Sequence, residues 1–141
     1  MLNIIHREGL YSFKTDNLDY NAGMVATFIG NRQVGICNDK TVPVGFFVHD
    51  SCRESIVFDA TIEKASTGVI AVGHGEFQTD IFEKSEYKHN DFLYCSCNGK
   101  ITNETKYRGN FVLGIVNSVT EKEIGFITCF TRYVELRAPC E

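Results

Sequence analysis

The chain has 141 residues, a formal net charge of −4, 43% hydrophobic and 23% charged residues, which suits one globular domain able to bury roughly 70% of its unfolded surface without staples. It contains no basic run, so the phosphate-neutralising charge that drives nucleic-acid binding is missing. No apolar stretch approaches the ~18 residues of a membrane-spanning helix. The opening Met1-Leu2-Asn3-Ile4-Ile5-His6-Arg7-Glu8 has too short an apolar run, followed at once by an acid, for a signal peptide, which predicts synthesis in a cytosol.

Eleven Phe, six Tyr and no Trp, with Val and Ile prominent, make a β-rich composition. Residues 1–21 mix apolar and polar types without a clear period. They are expected to form an extended N-terminal arm with one short strand at 10–14, ending in the turn-rich Asp16-Asn17-Leu18-Asp19-Tyr20-Asn21. Its apolar residues Ile4, Ile5, Leu10, Tyr11 and Phe13 have no obvious place in a core and are candidate interface residues. On this reading the arm is separable from the domain that follows, residues 22–141.

From residue 22 the pattern becomes regular. Strands are predicted at 24–30, 33–37, 43–49, 55–59, 68–74, 91–95, 100–102, 111–117 and 123–131, divided by turn signals such as Gly30-Asn31, Asn38-Asp39 and Gly109-Asn110. Residues 59–66 read either as a short helix, with Asp59 as cap and Gly68 as stop, or as a strand extension. Asn98-Gly99 supplies two residues that tolerate positive φ, which predicts a type I′ hairpin turn. Many short strands gated by glycine and turns predict an all-β fold, a small barrel or sandwich.

The six cysteines are Cys37, Cys52, Cys95, Cys97, Cys129 and Cys140, with no Cys-x-x-Cys pair. Cys95 and Cys97, two apart on a predicted strand, share a face. They read as a redox or metal pair, or as two small buried hydrophobes; the second reading is preferred and predicts six free thiols, with Cys37, Cys95 and Cys97 partly or wholly buried. His49 or His74 with Cys52 supplies the residue types of a nucleophilic site, but no nucleophile motif surrounds them. The cluster His74-Gly75-Glu76-Phe77-Gln78-Thr79-Asp80 offers acid–base or metal ligands. The preferred reading is instead that Gly73 and Gly75 mark a strand bending through a bulge. The expectation is a non-enzymatic protein without a cofactor or metal. The aromatics lie among apolar or acidic neighbours rather than lysines and arginines, which argues against a single-strand nucleic-acid binder.

The ordered pieces Ala22-Gly23-Met24-Val25, Val34-Gly35-Ile36-Cys37, Pro43-Val44-Gly45-Phe46-Phe47, Ile70-Ala71-Val72-Gly73-His74-Gly75-Glu76-Phe77, Asn90-Asp91-Phe92-Leu93-Tyr94, Asn98-Gly99-Lys100-Ile101-Thr102, Val112-Leu113-Gly114-Ile115-Val116 and Ile124-Gly125-Phe126-Ile127 resemble bacteriophage head decoration (cement) proteins of the small β-barrel or β-tulip type. Residues 1–21 and 50–66 depart from that pattern. The resemblance implies a virion protein on the outer capsid surface that bridges major capsid protein subunits of the expanded shell, as a homotrimer or alternatively a homodimer. Phe46, Phe47 and Phe111 are further candidates for apolar contact, with core packing as their alternative. Other virion β-barrels of tails or head–tail junctions, an OB-like nucleic-acid binder and a cysteine enzyme are the alternatives.

Overall fold

The computed structural model of the chain describes residues 1–15, 18–51, 55–57, 60–62, 67–107 and 111–131. The fold is all-β. Its strands are β1 (Leu2–Lys14), β2 (Val25–Gly30), β3 (Gln33–Ile36), β4 (Gly45–Phe47), β5 (Ser55–Val57), β6 (Ala60–Ile62), β7 (Thr67–Thr79), β8 (Phe92–Cys95), β9 (Ile101–Thr102), β10 (Val112–Val119) and β11 (Ile124–Thr131). One 3₁₀ turn at Thr105–Tyr107 is the sole helical element among the described residues. All nine strands expected after residue 22 are present, with ends shifted by a few residues. Where helix and strand were both open at 59–66, Ala60–Ile62 is a strand paired with Ser55–Val57. The remainder of that segment, and residues 58–59 of the expected 55–59 strand, lie outside the described residues.

Among the described residues, nine strands join in one sheet of order β1-β3-β2-β4-β7-β11-β10-β8-β9, and β1 also pairs with β7. Strands β1, β3, β2, β4 and β7 therefore close on themselves. Closure rests on one parallel pair, Lys14 with Gln33, and on the Lys14 N–H donating to the Arg32 carbonyl at 2.9 Å. β7 is shared between two parts. One edge carries β1 along its length, while the other carries β4 at Ile70–Ala71 and then β11 at Glu76–Thr79.

The N-terminal segment is extended, as expected, but the short strand at 10–14 is a correction: strand structure runs over all of Leu2–Lys14, docked antiparallel on β7. Two register shifts, between Ile4 and His6 and between Arg7 and Gly9, interrupt its two-residue period. A bulge moves later side chains to the other face, so no alternation survives for a reader of the sequence. Opposite the second shift, Gly73 has φ +76°, a left-handed conformation that costs glycine little. The Glu8 carboxylate fills the bend by accepting the His74 N–H at 2.8 Å. The bend expected from Gly73 and Gly75 is therefore present.

Alternation on the central strands builds two apolar layers. Phe46 faces the main core, where it meets Phe77 and Phe126 at ring-centroid distances of 5.8 and 5.3 Å, with Val25, Leu93, Ile101, Leu113 and Ile124 around them. Phe47 points the other way into a smaller core with Ala26, Val34 and Ile70, and stacks on Tyr20 at 3.9 Å. Both rings are fully buried. Among the described residues every buried side-chain nitrogen and oxygen has a hydrogen-bond partner, as a stable interior requires.

The Asn98-Gly99 hairpin forms, with β8 and β9 paired through Tyr94–Thr102 and Cys95–Ile101, but its turn is not type I′. Gly99 has φ +82°, whereas Asn98 is not among the residues with positive φ. The Ser96 N–H reaches the Lys100 carbonyl at 2.9 Å and the Gly99 N–H reaches the Ser96 carbonyl at 3.5 Å, the pattern of a longer loop with one left-handed glycine. The Gly99 carbonyl accepts the Val25 N–H at 2.9 Å, so the turn is also tied to β2.

Candidate functional site

The five candidate interface residues separate along β1. Ile4 packs against the main core and Phe13 against the smaller one. Ile5 stands 53% exposed at the first register shift; Leu10 and Tyr11 are exposed further along, Tyr11 at 55%. The structure does not bring all five together. It places Ile5 near one end of the strand and Leu10, Tyr11 and Phe13 near the other.

At the second end a site assembles that the sequence did not announce. The β2–β3 hairpin returns through Asn31-Arg32, and its tip lies beside the last residues of β1. Phe28 meets Phe13 edge-on at 5.2 Å, Tyr11 follows at 6.5 Å, and the Arg32 guanidinium sits 5.6 Å from the Phe13 ring centre. Stacking on an aromatic face orients the guanidinium while leaving its edge free to donate. An open depression of about 350 Å³ lies here, lined by Ser12, Phe13, Lys14, Asn31, Arg32 and Thr67. Lys14 and Arg32 are both exposed, and among the described residues no acidic side chain lines the depression. Arg32 has φ +52°, uncommon for a residue with a Cβ.

A second exposed apolar feature crosses the outer face of the other layer. Ile115 pairs with Phe92 on one side and with Ile127 on the other, and paired residues point to the same face of a sheet. Ile127 is 50% exposed and Ile115 is also exposed. The row continues through Glu76 and His6, with the Asn117 amide donating to Glu76 at 3.2 Å. Sequence reading missed Ile115, Ile127, Phe28, Ile29 and Arg32. A signal was available in the unbroken apolar run Val112-Leu113-Gly114-Ile115-Val116, which equips both faces of a strand. Phe46 and Phe47, by contrast, are removed from the interface candidates by complete burial, and Phe111 is half-buried.

The residues singled out for chemistry are scattered. The His49 Nε2 accepts the Val69 N–H at 3.1 Å, which leaves Nδ1 to donate to the Asp50 carbonyl at 2.8 Å. That ring bridges two backbone groups. The proposed nucleophile Cys52 lies outside the described residues. Among the described residues, no group of three or more His, Cys, Asp or Glu could hold a metal ion, and no helix is long and apolar enough to cross a membrane. No family model matches the chain, and no curated protein matches it.

The cysteine expectation needs one correction. Cys37, Cys95 and Cys97 are free thiols, but Cys97 is exposed because the strand ends at Cys95 and Cys97 falls in the turn. The thiol beside Cys95 is Cys37. Their hydrogen bond lowers the Cys37 pKa, against burial, while the same bond and burial together raise that of Cys95. Native alkylation followed by peptide mapping should label Cys97 within minutes and leave Cys37 and Cys95 untouched until denaturant is added, because the reagent cannot reach a thiol buried in the core. Rapid native labelling of Cys95 would contradict its place in the core.

Proposed function

We propose that the protein is a non-enzymatic structural module that attaches to a protein surface through exposed apolar side chains on a rigid sheet. In its sharper form the proposal is a capsid decoration protein on the outer surface of a virion. The observation that carries the attachment reading is the aligned pair Ile115 and Ile127, exposed on one sheet face beside Phe92, with Tyr11, Phe28 and Ile29 exposed elsewhere. Contiguous apolar surface of this kind commonly marks an interaction site. The phage-specific part rests on the resemblance of the glycine-gated strand order to small β-barrel cement proteins.

The physical logic suits such a role. A rigid barrel that touches two neighbouring major capsid protein subunits binds the assembled shell and not the free subunit, so it stabilises the shell by mass action. A mildly acidic chain keeps copies apart before docking. A symmetric ring of copies, a trimer in preference to a dimer, would match the junctions where subunits meet.

The test is to mix the purified protein with expanded shells, unexpanded shells and free capsid subunits of its virus, and to count bound copies by quantitative gel and cryo-microscopy. Saturable binding to expanded shells alone is expected, and Ile127→Glu should reduce it without lowering thermal stability. Equal binding to all three preparations, or to none, would overturn the proposal.

A further inference from the structure

Among the described residues, strand β1 has one covered edge and one open one. β7 occupies the first along the whole strand. The second meets only β3, at the single pair Lys14–Gln33, among the described residues. An uncovered edge presents a row of backbone donors and acceptors and is a template for another strand. Bulges blunt such templates, and β1 has its two shifts before Gly9. From Gly9 to Lys14 the register is continuous, Gly9 opposite Val72 through Lys14 opposite Thr67. This regular stretch carries exposed Leu10 and Tyr11 and ends at the depression between Lys14 and Arg32.

Charge selects the occupant. The chain as a whole is acidic, at −4, yet the strand end is cationic: Lys14 and Arg32 line the depression and Arg7 lies exposed further back on the same strand. The one acid on β1, Glu8, is engaged by the His74 N–H. Ser12, Asn31 and Thr67 add hydroxyl and amide groups, and Phe13 with the stacked guanidinium supplies an apolar wall. We infer that the Gly9–Phe13 edge of β1 accepts an extended acidic segment of a partner protein as an added strand, with a carboxylate of that segment held between Arg32 and Lys14. Backbone pairing supplies affinity in this mode of recognition, and a side-chain pocket supplies specificity. The ion contacts are charge-assisted, and Arg32 presents a fork that fits a carboxylate. The inference deepens the attachment reading and names a second contact beside the Ile115–Ile127 face.

A short acetylated peptide of alternating Glu and Val is the probe, with a Lys–Val peptide of equal length and an oligothymidylate as comparisons. Binding is followed by amide hydrogen exchange and by NMR shifts on the full chain. The Glu–Val peptide should slow exchange of edge amides within Gly9–Phe13 and shift Arg32 and Lys14, while the Lys–Val peptide does neither. Arg32→Gly is the decisive variant. It removes the guanidinium and also relieves a left-handed φ that glycine tolerates, so its melting temperature should not fall. Its affinity for the Glu–Val peptide should drop about ten-fold, the loss expected for one charge-assisted contact. Equal binding of the Glu–Val and Lys–Val peptides, shifts confined to residues away from Gly9–Lys14, or oligothymidylate binding more tightly than the acidic peptide would each overturn the inference. Shell binding separates the two proposals. If Arg32→Gly binds expanded shells as the parent does, and the peptide leaves β1 unaffected, the edge inference fails and attachment stands. If the parent ignores shells but takes the acidic peptide, attachment to shells fails and the edge inference stands.

Discussion

Phe46→Ala should cost about 3–5 kcal/mol of folding stability, the range for removing a fully buried phenylalanine from a core that cannot collapse around the gap. The Phe46 ring has no solvent exposure and touches both Phe77 and Phe126, which are themselves 5.8 Å apart between centroids. These three rings come from β4, β7 and β11, so the pocket wall is built from three separate strands of the sheet. Little of that wall can move inward, because its backbone is pinned by ladder pairs such as Phe46–Ala71 and Phe77–Phe126. Total stabilities of domains this size run at roughly 5–15 kcal/mol, so the variant should sit close to its unfolding threshold. Urea titration followed by far-UV circular dichroism reads the loss as a lower midpoint. Ile127→Ala is the matched control: half of that side chain is already in water, and exposed substitutions usually stay within about 0.5 kcal/mol. Equal effects from the two substitutions would mean that the inward and outward faces of the sheet have been assigned the wrong way round.

The central strands were legible because each obeys a local rule. Val44-Gly45-Phe46-Phe47 sits between a proline and a polar turn, and Ile124-Gly125-Phe126 alternates between the two faces, so strand type and approximate limits follow from the residues alone. Strand β1 was less legible, because its register shifts at Ile4–His6 and Arg7–Gly9 erase the alternation and most of its residues are exposed. The turn at Asn98-Gly99 was recognised as a hairpin, but its type is set by where the ladder stops, at Cys95 and Ile101, which the dipeptide does not encode. The same early end of β8 put Cys97 in water. The Lys14–Arg32 depression lay beyond sequence reasoning for another reason. Its two cations belong to different elements, and what joins them is the parallel Lys14–Gln33 pair. Parallel contacts between non-adjacent strands leave no periodic mark on either segment.

Deleting residues 2–14 should abolish cooperative folding, although the irregular pattern of residues 1–21 reads as a separable arm. The strand lies along the whole of β7, from Leu2 opposite Thr79 to Lys14 opposite Thr67. Its loss would remove Leu2 and Ile4 from the main core and Phe13 from the smaller one. It would also break the closure that links β3 to β7 through β1, and leave His74 N–H without the Glu8 carboxylate. The newly bared edge of β7 would then be a long, strongly β-prone template for association. The truncated chain should accordingly express as an aggregate, or as a species that binds a hydrophobic dye and melts without a sharp transition. A truncated protein with the parent's circular dichroism spectrum and a cooperative unfolding curve would show that β1 is an appendage. The expected outcome also decides how the interface role of β1 must be probed. Deletion would confound attachment with folding, whereas Ile5→Glu and Tyr11→Glu alter side chains that are already more than half exposed. A loss of shell binding by those variants at unchanged melting temperature would therefore report on the surface of β1, independently of its contribution to the core.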